Sequence, residues 1–381
     1  MDRNAPISIA AAVYVSIVGV FALMIMPIVP GVLISQLGFS EEAAAGVIAA
    51  EVGGGALASI IAMFWIGRVN WRSAALLSVL VVVVGNAVSV FITDATTLTI
   101  VRFIVGLLGQ GTAFVIGISM IQSTSDPDKN FGSVIAAQVA FGVLALLSLQ
   151  RIVTAFDSIG GVYIPLAVLA IIGLPLIRNL ATGFEAQPEQ QSQKPAGSFL
   201  LPVAGLIVML IWCVGLGSMW AFVGLIGEAG GLEAVDAQLA LAVSSGVAIF
   251  GAIGAAVLAG KGVGRFMPVT IALLAQASMA WFLQGEMNWL EMAIKASIFQ
   301  IFWNMTGPFI MGAIASSDTS GKVSVLIPAA QTAGFSIGPI IAVAYMTEGS
   351  FVAANLTTIV CCLIALVLFI PLSARLNAAG H

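Results

Sequence analysis

Three ionisable residues lie inside long apolar runs: Glu51 in IAAEVGGGALAS, Arg102 in TIVRFIVGLLGQG and Lys295 in EMAIKASIFQ. An ionisable side chain at bilayer depth costs at least about 2–3 kcal/mol, so each needs a partner or a task. Glu51 follows the acidic pair Glu41-Glu42 by about nine residues, which at about 1.5 Å per residue puts it near mid-depth. A carboxyl group between a desolvating apolar environment and a nearby cation can bind and release a proton. Glu51 is therefore the candidate proton-coupling residue, and a static pair with Arg102 is the competing reading. Arg102 shares a helical face with Gly106, Gly109, Ala113 and Gly117, small residues that let helices approach closely. Its guanidinium must find an acid, backbone carbonyls or an anionic ligand.

Lys295 poses the same question, with a local answer available in Glu291, one turn earlier. On its helix Lys295 groups with Phe299, Phe302 and Thr306, while Gln300, Asn304 and Gly307 lie on another side. Sequence alone leaves open which side meets a ligand. Gln138 and Gln331 are amides at lipid depth, which face protein or water. The candidate substrate-binding set is thus Arg102, Gln138, Lys295, Gln300, Asn304 and Gln331. Trp65, Trp71, Trp281 and Trp289 lie near run ends and read as interfacial residues. Trp212, Trp220 and Trp303 lie deeper, where core packing is favoured over stacking on a substrate.

The elements that hold these residues follow from composition. Of 381 residues, 60% are hydrophobic and 8% charged. A soluble domain is about 45–50% apolar and about 25% charged, so a soluble enzyme or nucleic-acid binder is excluded. The net charge of -4 offers no basic surface to nucleic acid. The one histidine is His381, which leaves neither a histidine zinc site nor a histidine triad, and the three cysteines lie in apolar runs. No metal, cofactor or catalytic role is expected, and no phosphate-cradling loop for ATP is present.

A bilayer core of about 30 Å needs about 20 apolar residues per helix. Twelve runs meet that rule: 8–37, 42–66, 73–93, 96–122, 131–152, 160–177, 199–226, 235–259, 266–284, 289–315, 323–346 and 350–372. The first is too long for a signal peptide and reads as a spanning helix, with Pro27 and Pro30 as bending points. Gly215 and Gly217 are expected to bend the seventh. The polar segment RNLATGFEAQPEQQSQKPAGS separates six runs from six, giving a bundle over 1–178, a linker over 179–198 and a bundle over 199–381. Placing both termini in the cytoplasm puts Arg3, Arg68, Arg72, Lys129, Arg178, Lys194, Lys261, Arg265, Lys322 and Arg375 on one side, as the positive-inside rule requires.

The halves repeat. At one offset of 193 residues, Arg68 falls on Lys261, Arg72 on Arg265, Arg102 on Lys295, Lys129 on Lys322 and Gln138 on Gln331. In a chain so poor in charge this points to two six-helix bundles of parallel topology.

This organisation resembles the major facilitator superfamily over essentially the whole chain. Gly67-Arg68-Val69-Asn70-Trp71-Arg72 keeps the basic residues of the family's loop between helices 2 and 3, without its acid. Arg102-Phe103-Ile104-Val105-Gly106, continuing to Gly109 and Gly111, is similar to its arginine-then-glycine motif. The Gly-Pro motif of many drug antiporters is missing from the fifth run, whereas the eleventh carries Gly338-Pro339. The resemblance implies an all-α membrane protein of twelve transmembrane helices, working by alternating access, with Arg102 lining a central cavity. It implies a monomeric secondary transporter in the lipid bilayer with a small-molecule substrate; Glu51 points to protons as coupling ion, and the economy of loops to a bacterial inner membrane. Two buried cations against one buried acid favour a small organic anion. A proton-driven exporter of hydrophobic or cationic drugs is the alternative. A non-transporting membrane sensor or scaffold is a third reading, disfavoured by the short loops.

Overall fold

Inside a bilayer no water satisfies a peptide group, so a long apolar run must close its hydrogen bonds within itself and becomes a helix. The computed structural model describes residues 2–125, 127–183, 199–318, 323–347 and 349–379, without the side chains of 127–129, 325 and 375–379. Among these residues the regular structure is helical, apart from one isolated bridge between Thr347 and Ser350. Lys129, Lys194, Lys322, Glu348 and Arg375, and most of the linker, lie outside the described residues or side chains.

The chain divides into two compact units, Met1–Gln190 and Gln191–His381. In the first, the helices are α1 (Pro6–Gly19), α2 (Phe21–Ile25), α3 (Val29–Leu37), α4 (Glu41–Trp65), α5 (Trp71–Ser89), α6 (Ala95–Ile104), α7 (Thr112–Gln122), α8 (Pro127–Phe156) and α9 (Gly160–Gly173). A π-helical segment, Val105–Gly111, joins α6 to α7. In the second they are α10 (Leu200–Ala229), α11 (Ala234–Val247), α12 (Ile249–Gly260), α13 (Phe266–Phe282), α14 (Trp289–Ser317), α15 (Ile327–Ala344) and α16 (Val352–Ala379). Helices α4 and α11 begin 193 residues apart, the spacing that also relates Arg68 to Lys261. The packing repeats as well: α4 lies against α6 and the π segment, and α11 and α12 lie against α14. Likewise α5 packs on α9 and α13 on α16.

Ten helical stretches among the described residues are long and apolar enough to cross a membrane. Two expected spans fall short of that length. One is α13, with 17 residues. The other is the first run, read as one helix over 8–37 and found in three pieces. Pro27 and Pro30 account for the gap between α2 and α3, because proline has no N–H to donate into the preceding turn. The break after Gly19 has no such marker. Helix α10 runs unbroken for 30 residues through Gly215 and Gly217. Both are contact points: a Cβ at Gly217 would come within 2.6 Å of the Phe335 backbone, and one at Gly215 within 2.8 Å of the Cys361 Cβ.

Helix starts carry local signals. Ser40 accepts from the Ala43 N–H, Asn70 from Arg72 and Ser73, and Asp94 from Thr97. Helix α14 opens on a capping box, in which Asn288 accepts from Glu291 N–H at 3.0 Å while the Glu291 carboxylate accepts from Asn288 N–H at 2.9 Å. Trp71, expected at the membrane interface, is fully buried. Its indole N–H donates to the Ile66 carbonyl, and Arg3 lies 5.9 Å over its ring.

Candidate functional site

In the N-terminal unit the two buried charges meet. Helix α4 supplies Glu51, 5% exposed, and α6 supplies Arg102, 1% exposed. Arg102 Nε donates to Glu51 Oε2 at 2.9 Å, and Nη2 pairs closely with Oε1. The pairing is bidentate, the geometry in which arginine binds a carboxylate best. Arg102 Nη1 donates to Asn86 Oδ1 at 2.8 Å and to Ser89 Oγ at 3.3 Å, both on α5. The Tyr163 ring, from α9, lies 4.6 Å from the guanidinium carbon. A planar cation is thus held by a carboxylate, two neutral acceptors and an aromatic face. Such a buried pair is stable only when its remaining lone pairs and protons are also satisfied.

The glycines of IVGLLGQG bring these groups together. A Cβ at Gly106 would overlap the carbonyl oxygen of Glu51 itself, so α4 and the π segment touch at that residue. Gly109 faces Ser78 and Val82 on α5, and Gly117 faces Ala12 and Ser16 on α1. The small-residue face read from the sequence therefore serves three neighbouring helices rather than one.

Gln110 completes the cluster. Its Nε2 donates to Glu51 Oε1 at 2.7 Å, and its Oε1 accepts from the Ala22 N–H at 3.2 Å. Ala22 lies in the first turn of α2, where a helix has N–H groups without intrahelical partners. Gln110 thus caps the broken first helix with one end of its amide and holds the buried carboxylate with the other. It was not identified from sequence. It lies inside the π segment, where the step of about 100° per residue used to sort helix faces does not hold. Asn86 and Ser89 were missed too; their signal was polarity at depth in VVVVGNAVS.

The other predicted residues separate into groups. Gln138 is half-buried and reaches the Ser16 carbonyl at 3.5 Å. Gln300 is buried: its Nε2 donates to Ser244 Oγ at 2.6 Å, and its Oε1 accepts from Ser245 at 3.2 Å. Asn304 donates to the Gln300 carbonyl at 3.0 Å. Ser244 stands 193 residues after Glu51, so the C-terminal unit has a neutral hydroxyl–amide pair where the N-terminal unit has an acid. A second neutral network runs from Trp212 through Gln276 to Thr306, with hydrogen bonds of 3.0 and 2.9 Å. Trp212 is therefore a packed and bonded core residue.

Lys295 and Gln331 are half-buried, and neither makes a hydrogen bond or ion pair among the described residues. The expected Lys295–Glu291 pair does not form, because the Glu291 carboxylate is used in the capping box. The two cations matched by the repeat thus differ: Arg102 is closed off and neutralised, and Lys295 is partly open and unpaired. No group of three or more potential metal ligands occurs among the described residues.

A chain whose described residues form ten membrane-length helices with an ion pair buried among them has the architecture of a polytopic membrane protein, and its fold is that of solved structures of membrane transporters. The chain is similar to tetrameric PepTSo2 (TM-score 0.75, 12% identity, covering 100% of this chain and 99% of that one). It is similar to a bacterial homologue of the human drug peptide transporters PepT1 and PepT2 (0.73, 13%, 100% and 99%). It is also similar to a mutant of the nucleoside transporter NupG (0.71, 12%, 96% and 99%). No family model matches the sequence. No curated protein matches it either.

Proposed function

We propose that this chain is a proton-coupled secondary transporter that moves a small organic anion across the membrane by alternating access. Solved structures of the same fold, named as nucleoside and peptide transporters, support the general class. The observation that carries the proposal is the buried Glu51–Arg102 pair and its link through Gln110 to the break in the first helix.

The cluster holds one negative and one positive charge. A proton on Glu51 neutralises the carboxylate and leaves the guanidinium uncompensated in an apolar setting. Two unit charges 4 Å apart attract by about 4 kcal/mol at an effective dielectric of 20, so protonating Glu51 forfeits about that much unless another anion replaces the carboxylate. An anion that enters with the proton restores neutrality. Lys295, partly open and without a partner among the described residues, is the residue proposed to meet the anion. Gln138 and Gln331, at matched positions of the repeat, and the Gln300–Asn304 pair complete the proposed binding set.

Twelve spans follow if the broken α1–α3 segment and α13 cross as well. The concentration of basic residues in alternate loops supports cytoplasmic termini, and a bacterial inner membrane is the proposed location.

The test is uptake of labelled organic anions into proteoliposomes under an imposed pH gradient. Gradient-driven accumulation should be lost in Glu51→Gln and strongly reduced in Arg102→Ala and Lys295→Ala. Anion transport indifferent to all three substitutions would overturn the proposal.

A further inference from the structure

We infer that the C-terminal unit binds an aromatic carboxylate, with the ring of the ligand stacked on Trp303 and its carboxylate on Lys295. The inference rests on the anion-transport reading and names its substrate class.

Trp303 is partly exposed and held by three buried rings from three helices. Trp220 of α10 meets it edge-on at 5.5 Å and 81°. Phe299 of α14 does so at 6.5 Å and 76°. Phe335 of α15 lies against it at 5.5 Å and 32°. An indole held by three neighbouring rings is a platform set before any ligand arrives, and its exposed part is what a ligand ring could stack on.

Lys295, Phe299 and Trp303 follow one another at four-residue steps on α14. Each step turns about 40° and advances about 6 Å, so the three side chains form a shallow stripe along one side. At its far end is an ammonium group with no counterion among the described residues. An unpaired cation within an apolar helix is most stable with an anion beside it. Lys295 and Trp303 lie about 12 Å apart along the helix, and the lysine side chain reaching toward Trp303 covers about half of that, so the stripe fits a ring carrying a short acidic side chain. An organic cation would be repelled by Lys295, and a neutral ligand would leave it unpaired. Gln331, one turn from Phe335 on α15 and free of hydrogen bonds among the described residues, can bond a polar ring substituent.

The test is calorimetric binding to the purified full-length chain in detergent, with three probes. Indole-3-acetate has ring and charge, cyclohexylacetate has charge without an aromatic ring, and indole-3-acetamide has the ring without charge. Indole-3-acetate should bind about tenfold more tightly than cyclohexylacetate, the upper range for one stacked aromatic pair, and also more tightly than the uncharged amide. Trp303→Leu should abolish the preference over cyclohexylacetate. Lys295→Gln should abolish the preference over the amide. Should Trp303→Leu fail to fold, Trp303→Phe should retain a weakened aromatic preference. Equal binding of the two acids, or unchanged preferences in the variants, would overturn the inference. If aliphatic acids bind and are transported equally well, only the aromatic assignment falls. If no acid of either kind binds, the anion reading falls with it.

Discussion

Removing one partner of the Glu51–Arg102 pair should cost far more than removing both. In Arg102→Met the carboxylate keeps only its bond from Gln110, and Asn86 Oδ1 loses its donor. Breaking a buried pair from one side costs about 3–5 kcal/mol. Glu51→Gln leaves the guanidinium without a counter-charge and should cost a similar amount. In the double variant the new amide at position 51 can still accept from Gln110, and no charge remains. The residual cost is the unpaired Asn86 oxygen, about 1–3 kcal/mol. The coupling energy is then at least about 3 kcal/mol, the deficit of one broken pair. At about 2–4 °C per kcal/mol, each single variant should melt about 6–20 °C lower, and the double variant should recover part of that loss. Thermal unfolding of the purified chain, followed by size-exclusion fluorescence, measures it. A double variant that melts below both singles would refute the pair as one energetic unit.

Three further outcomes follow. Gly106→Ala should lower the melting temperature, because its Cβ would meet the Glu51 carbonyl, while Gly46→Ala, with nothing within 4 Å, should not; overpacking of this kind costs about 1–3 kcal/mol. Lys295→Gln should leave stability within about 0.5 kcal/mol of the parent, since no pair is lost, and yet reduce anion transport. Hydrogen bonds from the Thr97 backbone and side chain hold the Asp94 carboxyl below its ordinary range, so its cap stabilises α6 above that range and the contribution is lost as pH falls through the lowered value; Asp94→Asn, which caps without titrating, should flatten that part of a pH-melting profile.

The scarcity of charge made part of the site legible. Glu51 and Arg102 stand out in an apolar chain, and the structure joins them directly. The repeat was readable for the same reason, from basic residues at one offset. Gln110 was not, because a π segment changes the angular step and hides which residues share a face. The break at Gly19–Val20 was not either, since VSIVGVFALM is apolar on both sides of it. The buried N–H that the break frees at Ala22 is satisfied by Gln110, a residue distant in sequence. The Lys295–Glu291 pair was one of two readings left open, and the sequence held a signal against it. Asn288-Trp289-Leu290-Glu291 has the spacing of a capping box, which claims the glutamate for the helix start. Gly215 and Gly217 show a related ambiguity, since glycine marks a bend and a close helix contact alike, and only the neighbours distinguish them.

The central claim is that Glu51 carries the coupled proton. The most direct measurement is the flux ratio of protons to anions in proteoliposomes, read with a lumenal pH dye alongside labelled substrate. Wild-type protein should acidify the lumen in proportion to anion uptake, and Glu51→Gln should move anion down its own gradient with no proton signal. Proton movement that stays proportional to anion uptake in Glu51→Gln would contradict the account.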